Sequence, residues 1–268
     1  MPSEESIVPP GYANTLFDLN GRIAVVTGGG SGLGQAICIG YAQVGVTVII
    51  ADIKVDAANE TLALIEEQGG NAVAVELDVT KREQCEALAQ SVKRDHGRID
   101  ILVNSAGSAH RCSVEEFPED RFDYIIELNL KGTYLCCQAF GRIMLEQEKG
   151  SIINMASIGS VIAYPWASAY LASKGGVSQV TKALALEWRD RGVRVNGIGP
   201  TLMVTPLISR TAAESGSSIT ADFIVDRMIR KRRGLPKELI GAAVFLASDA
   251  SELVTGHIVM CDDGYVAV

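Results

Sequence analysis

Tyr170 and Lys174 stand four residues apart in the stretch YLASK, and Ser157 precedes Tyr170 by thirteen. On a helix, that spacing brings the tyrosine and the lysine to one face. A free phenol ionises near pH ~10 and is a poor base at neutrality. An ammonium beside it stabilises the phenolate and lowers that pKa, which turns the phenol into a proton-transfer group. A serine hydroxyl in reach can stabilise charge developing on a substrate oxygen. Each residue also has an ordinary reading. Tyr170 would be a half-buried helix residue, Lys174 a solvated one, and Ser157 a cap at a strand end.

A second group lies early, in TGGGSGLG, Thr27 to Gly34. Gly28, Gly32 and Gly34 give the pattern T-G-x-x-x-G-x-G. It differs from G-x-G-x-x-G, whose last glycine would fall on Leu33. Bare backbone N–H groups at a helix N-terminus, with its positive dipole end, suit a pyrophosphate. A tight strand-to-helix turn is the alternative. Asp52 closes the next apolar run. A carboxylate there can accept both hydrogen bonds of an adenosine ribose diol and would repel a 2′-phosphate; it would also serve as a helix N-cap. Neither Ser31 nor Ile53 supplies a cation for a 2′-phosphate, and Lys54 lies one step further on. The cofactor expected on these residues is NAD.

The elements that must position these groups alternate. RIAVVTGG reads as a buried strand, GLGQAICIGYAQVG as a helix, and VTVIIAD as a second strand. DAANETLALIEEQGG follows as an amphipathic helix with a glycine stop. NAVAVELDV, IDILVNSAG, GSIINMAS, VRVNGIGP and HIVMCDD supply five more strands. Long helices are expected near Arg121–Glu146 and Ser168–Arg191, and another at Lys237–Ser248. Strands apolar along their length imply a parallel sheet covered on both faces, with ligands beyond the strand carboxyl ends. The rhythm breaks between Met203 and Arg233, which is polar and rich in small residues.

Bulk properties narrow the class. A chain of 268 residues, 47% hydrophobic, suits one sizeable α/β domain. A net charge of −8 argues against nucleic acid and against an anionic membrane surface. No run reaches the ~18 apolar residues of a spanning helix. MPSEESIVPPGYANTLFD lacks the basic and apolar regions of a signal peptide and reads as a loose arm, residues 1–18. Six cysteines and three histidines offer little for a metal, and none is expected. The cysteines read as reduced core thiols of a cytoplasmic protein.

NSAG at Asn104–Gly107, Asn129 in ELNLKG, Ser157 and YLASK, in this order after TGGGSGLG, resemble the short-chain dehydrogenase/reductase family from Leu19 to the end. The resemblance implies a single-domain, Rossmann-type doubly wound parallel sheet of about seven strands, and hydride transfer between an alcohol or ketone and NAD. It makes Tyr170 the proton donor and acceptor, Ser157 the partner of the substrate oxygen, and Lys174 a holder of the nicotinamide ribose together with Tyr170. Asn129 would bend its helix and hold a water that links Lys174 to solvent. Gly28, Ser31, Gly32, Leu33, Gly34, Asp52 and Ile53 would hold the adenosine pyrophosphate half, with Asp78 and Val79 by the adenine. Asn104, Ala106 and Gly107 would contact the ribose on that side, and Thr205 the carboxamide, with Pro200 shaping its loop. The chain departs from the family at Thr201, where glycine usually follows proline, and in its closing CDDGY.

The SAHRC stretch places His110 and Arg111 at the active-site mouth, where many members are apolar. This stretch and both ends of the chain resemble gluconate 5-dehydrogenases and 2-deoxy-gluconate 3-dehydrogenases. The expected substrate is therefore a sugar acid, sugar or polyol. Arg111 and His110 would contact it, Trp166 and Tyr164 would wall the pocket, and residues 203–233 would close over it. A solvated loop charge is the alternative for Arg111, and the run Arg230–Arg233 reads as a solvated helix end rather than a binding patch. An oxoacyl-type keto reductase and a non-catalytic NAD sensor remain as other functions. The family usually forms homotetramers by pairing the two long helices, where Cys136, Cys137 and the small residues of 167–176 would suit close contact.

Overall fold

The computed structural model describes residues 8–215 and 219–267. Seven strands form one parallel sheet in the order β3-β2-β1-β4-β5-β6-β7. They are β1 Ile23–Thr27, β2 Thr47–Asp52, β3 Ala72–Glu76, β4 Ile101–Asn104, β5 Gly150–Met155, β6 Val193–Pro200 and β7 Ile258–Cys261. Successive residues of a strand face opposite ways, so each inner strand feeds two cores. Ala24 and Val26 pack with Ile37 and Tyr41 of α2 (Gly32–Gln43), Ile65 of α3 (Val55–Glu67) and Leu246 of α10 (Ile240–Ala247). Val25 and Ile49 pack with Val92 of α4 (Arg82–His96), Phe140 of α6 (Thr133–Glu146) and Leu184 of α7 (Ser168–Trp188).

Full coverage of the strands is met in β1, β4 and β5, where every residue is buried. It fails at β3, an edge strand with one neighbour, where Val73 is 44% exposed. The chain runs outward from β1 to β3 and then returns to β4 beside β1. That reversal opens a crevice beyond the carboxyl ends of β1 and β4.

Three local findings refine the expected elements. The helix expected near Arg121–Glu146 is α5 (Glu119–Ile126) joined to α6 by a π turn over Glu127–Gly132. Such turns gather at functional sites, and this one contains Asn129. The segment 203–233 is not structureless: it holds α8 (Pro206–Ser215) and α9 (Ile219–Val225), and residues 216–218 lie outside the described residues. In the expected N-terminal arm, residues 1–7 also lie outside the described residues. The rest carries a helical turn, α1 (Tyr12–Thr15), and its Leu16 carbonyl accepts from the Ala250 N–H at 3.0 Å.

Cys136 and Cys137 lie in the chain's own core rather than on an outward helix face, because α6 turns them toward α4 and the sheet. Cys38 and Cys85 are buried too, and all six cysteines are free thiols.

Candidate active site

The glycine turn is built by steric necessity. Gly28 has φ +65°, and a Cβ on it would stand 2.8 Å from the Ala106 backbone. A Cβ on Gly34 would stand 2.1 Å from the Gly28 carbonyl oxygen. Glycine at both lets the first turn of α2 press against the β1 loop and leaves the backbone open for a ligand. Asp52, at the tip of β2, accepts from the Gly30 N–H at 3.0 Å and the Lys54 N–H at 2.9 Å. It does not cap α3, whose N-cap is Lys54. A fixed carboxylate with further acceptor capacity faces the crevice.

That crevice has a volume of about 380 Å³. It is lined by Gly28, Ser31, Gly32 and Leu33, by Asp52 and Ile53, by Asp78 and Val79, by Ala106 and Gly107, and by Thr205. These eleven come together as the sequence implied. Five do not line it, for identifiable reasons. Tyr170 lines the smaller neighbouring cavity instead. Gly34 lies one turn behind as a packing position. Pro200 ends β6 and is buried. Asn104 turns into the sheet, where its Nδ2 donates to Asn154 Oδ1 at 2.8 Å. Lys174 is buried behind the crevice. Sequence reasoning missed Thr80, Tyr124 and Arg210, which also line it. Tyr124 and Arg210 come from helices whose register against the sheet no motif marks.

The second part of the site sits beside it. Ser157 follows β5 and caps a short 3₁₀ turn over Ile158–Ser160, its Oγ accepting from the Gly159 N–H at 3.1 Å. The expected strand-end cap is thus real, and it fixes the hydroxyl. The start of α7 carries Tyr170 and Lys174. Lys174 Nζ donates to the Met155 carbonyl at 2.6 Å, which ties α7 to the end of β5. Asn129 Nδ2 donates to the Ser108 carbonyl at 2.9 Å and to Ser173 Oγ at 3.0 Å, and its Oδ1 accepts from the Ser108 N–H at 2.8 Å. The π turn therefore locks the loop after β4 to the inner face of α7.

Electrostatics differ from the simple pairing of phenol and ammonium. Burial pushes the Tyr170 phenol above its usual range, and the Ser157 hydroxyl and the Arg111 guanidinium oppose that push. The Lys174 ammonium lies 5.7 Å from the centre of the Tyr170 ring and bonds elsewhere. Burial brings Lys174 itself down to about 8. An unfolded lysine titrates near ~10.5. Between these values the unfolded chain keeps a proton that the folded chain has released, so stability rises with pH, by about 1.4 kcal/mol per unit. In urea melts of the cofactor-free protein, wild type should gain on Lys174→Met between about pH 8 and 10. A difference that stays flat across that window refutes the buried ammonium.

Arg111 is no solvated loop charge. Its guanidinium lies over the Tyr164 ring at 5.6 Å, and its Nη1 is buried with no hydrogen-bond partner among the described residues. With Ser157, Tyr164 and Tyr170 it lines a small cavity of about 40 Å³, bordered by Leu207, Ile208 and Ile224. His110 and Trp166 do not line that cavity. His110 packs edge-on against Phe117 at 5.4 Å, in a separate cleft with Arg121 and Arg210. Trp166 takes φ 62° and offers its backbone carbonyl to the Cys112 N–H, so it braces the Arg111 loop from behind. Alternation within a loop carries no signal for which neighbour points inward.

A family model described as enoyl-(acyl carrier protein) reductase matches residues 28–266. The chain belongs to the short-chain dehydrogenase/reductase family. It is an oxidoreductase of alcohol or ketone groups with a nucleotide cofactor, and the crevice and glycine turn fit that cofactor. Among relatives of this family, the chain is 40% identical to D-threitol dehydrogenase of Mycolicibacterium smegmatis, over 93% of this chain and 94% of the relative. It is 37% identical to an NAD-dependent glycerol dehydrogenase of Listeria innocua, over 93% and 95%. A solved gluconate 5-dehydrogenase from Burkholderia cenocepacia, in complex with NADP and tartrate, superposes with a TM-score of 0.88. It is 32% identical over 96% of this chain and 99% of that one. Among the described residues, no helix is long and apolar enough to cross a membrane, and no three His, Cys, Asp or Glu side chains cluster to hold a metal.

Proposed function

We propose that this short-chain dehydrogenase is NAD-dependent and acts on a secondary alcohol of a sugar acid, sugar or polyol. The observation that carries the reading is one cavity bounded by Ser157, Tyr170 and a buried guanidinium with an unmet donor. A cation beside the hydroxyl-bearing Ser157, Tyr164, Tyr170 and Thr201 suits an oxygen-rich, preferably anionic substrate and ill suits an acyl chain. The intact proton-transfer set weighs against a non-catalytic sensor.

When bound, the nicotinamide supplies the hydride acceptor or donor. Gly28, Ser31, Gly32 and Leu33 would hold the pyrophosphate and Asp52 and Ile53 the adenosine ribose. Asp78 and Val79 would flank the adenine, and Asn104, Ala106 and Gly107 would floor the crevice. Pro200 and Thr205 would set the carboxamide end, and Lys174 and Tyr170 the other ribose. The Tyr170 phenolate takes the alcohol proton during oxidation, and the hydroxyl so formed returns it during reduction. The single Ser157 hydroxyl proton favours the phenolate when given to Tyr170 and would turn to the substrate oxygen once substrate is bound. Asn129 acts as a strut that keeps Ser108 and α7 in register.

The cavity is small, about 40 Å³, and is bordered by Leu207, Ile208 and Ile224. Their place at its mouth supports residues 203–233 as a lid that would move to admit substrate and exclude water once closed.

Asp52 supports NAD as the cofactor. A 2′-phosphate would lie against a carboxylate already fixed by two backbone bonds, and Lys54 is the cation beside it. Steady-state kinetics should favour NAD⁺ over NADP⁺ by about tenfold or more in kcat/KM, since like charges in contact cost at least ~1.4 kcal/mol. A higher kcat/KM with NADP⁺ would sink this reading. That test bites, because a solved relative carries NADP.

Assembly as a homotetramer rests on the two long helical stretches. Phe122, Tyr134 and Leu186 are exposed apolar side chains on α5, α6 and α7, with Leu186 at 66%. These replace the buried Cys136 and Cys137 as the contact residues. Light scattering at micromolar concentration should give four chains, and a monomer there would contradict the pairing. Six free thiols suit a reducing, cytoplasmic compartment.

A further inference from the structure

Two buried donors near the cavity lack partners among the described residues: Arg111 Nη1 and the hydroxyl of Tyr265. Tyr265 is 3% exposed and belongs to the C-terminal turn. That turn is rigidly anchored. Asp262 accepts from the Gly264 N–H at 3.1 Å and the Val266 N–H at 2.9 Å, and its carbonyl accepts from the Tyr265 N–H at 3.1 Å. The neighbouring Asp263 accepts from the Arg230 N–H at 2.7 Å. A hydroxyl held so firmly in an apolar cluster without a partner is costly, and such groups call for an explanation.

The surroundings supply one. Tyr265 packs in one cluster with Ile158, Tyr164, Leu202 and Ile224, all four of which also line the substrate cavity. It lies within electrostatic reach of the Tyr164 phenol. The cavity must enlarge to admit a polyol. The walls from the turns after β5 and β6 and from α7 are tied to the sheet, whereas Ile224 sits on α9. Ile224 shares its cluster with Tyr265, so its withdrawal would open the cavity toward that ring. Ser157 and Tyr170 mark the reacting end of the cavity, so such an extension would receive the substrate's far end.

We infer that the Tyr265 hydroxyl is a specificity-determining contact, hydrogen-bonding a distal hydroxyl of substrates too long for the small cavity. The inference rests on the proposed polyol or sugar-acid dehydrogenation and adds the group that reads chain length. A tyrosine hydroxyl both donates and accepts, so it suits a neutral hydroxyl better than Arg111 does.

The experiment compares Tyr265→Phe with wild type on threitol and on glycerol, with NAD⁺, and records Tm. The ring remains, so packing is kept. KM for threitol should rise roughly three- to tenfold, the loss of one neutral hydrogen bond. KM for glycerol should stay within about twofold, because three carbons anchored at Ser157 and Tyr170 do not reach the extension. Tm should hold or rise, since deleting an unpartnered buried hydroxyl is nearly neutral. Equal changes on both substrates, or no change on either, overturn the inference. So does a fall in Tm, which would assign the hydroxyl to packing. If wild type oxidises neither polyol, the proposed reaction fails separately, and the subsite is read by the Tm gain on adding threitol with NAD⁺ present. A gain that shrinks in Tyr265→Phe supports the contact. A gain of the same size in both proteins, or none in wild type, overturns it.

Discussion

Tyr170→Phe should lower kcat by about 10²–10⁴-fold and leave affinity for NAD⁺ within a few-fold, because it deletes a proton-transfer hydroxyl and keeps the ring. The environment explains why the loss should be large. The phenol is buried, which by itself raises its pKa and weakens it as a base. Two neighbours recover that ground: Ser157 by hydrogen bonding and Arg111 by charge. One other described titratable hydroxyl lining this cavity, Tyr164, has both supports, and burial pushes it well above its usual range nonetheless. Of the two, Tyr170 is the one that also has the Lys174 ammonium beside its ring, at 5.7 Å. The measurement is single-turnover kinetics at saturating NAD⁺, which separates chemistry from cofactor binding. A variant retaining a tenth of the wild-type rate would remove Tyr170 from the proton-transfer step. The pH profile adds a second check. Oxidation needs the phenolate, so activity should rise with pH toward the raised pKa of Tyr170, and reduction should fall along the same limb.

Much of this site was legible because it is tied to the sheet. Glycines at a strand-to-helix turn, an acidic residue ending β2, a serine after β5 and a Tyr/Lys pair on one helix face are fixed by short-range geometry. Their sequence spacing therefore reports their positions. Asn129 was legible only through the family resemblance. The π turn that carries it reads from sequence as ordinary helix, because its apolar pattern still suits helical burial. Arg111 and His110 show the limit most clearly. They are adjacent in one loop, yet one guanidinium enters the cavity and one imidazole packs against Phe117 in another cleft. Only the brace from Trp166 and the border from α8 and α9 decide between them, and neither is a local property. The same holds for Tyr265, whose burial depends on how the C-terminal turn docks under the lid. The Cys136–Cys137 pair misled for a related reason: which way a helix faces is set by its partners, here α4 and the sheet.

The Arg111→Met variant should cut kcat/KM for a sugar acid by about tenfold to a few hundredfold relative to its effect on the matching uncharged polyol. A hydrogen bond to a charged group contributes ~1.5–3 kcal/mol, and each ~1.4 kcal/mol is a factor of ten. The guanidinium is already desolvated on one side, with Nη1 buried and unpartnered. A carboxylate arriving there therefore meets a donor that has little water left to lose. Methionine fills similar space with an unbranched apolar chain and keeps the loop packed against Tyr164. The comparison must be a ratio between substrates, because Arg111 has a second effect. Its charge helps to hold down the Tyr170 phenol, and losing it slows oxidation of either substrate at pH values below the phenol's pKa. That common loss should fade as pH rises, since both enzymes then carry the phenolate. The carboxylate-specific loss should persist at every pH, because neither the carboxylate nor an arginine titrates in the working range. Paired kinetics of acid and polyol across pH thus separate the two roles in one data set. Equal losses on both substrates at all pH values would mean that Arg111 shapes the loop and does not read charge. Loss on neither would leave its buried guanidinium without a function in catalysis, and the sugar-acid preference would fall with it.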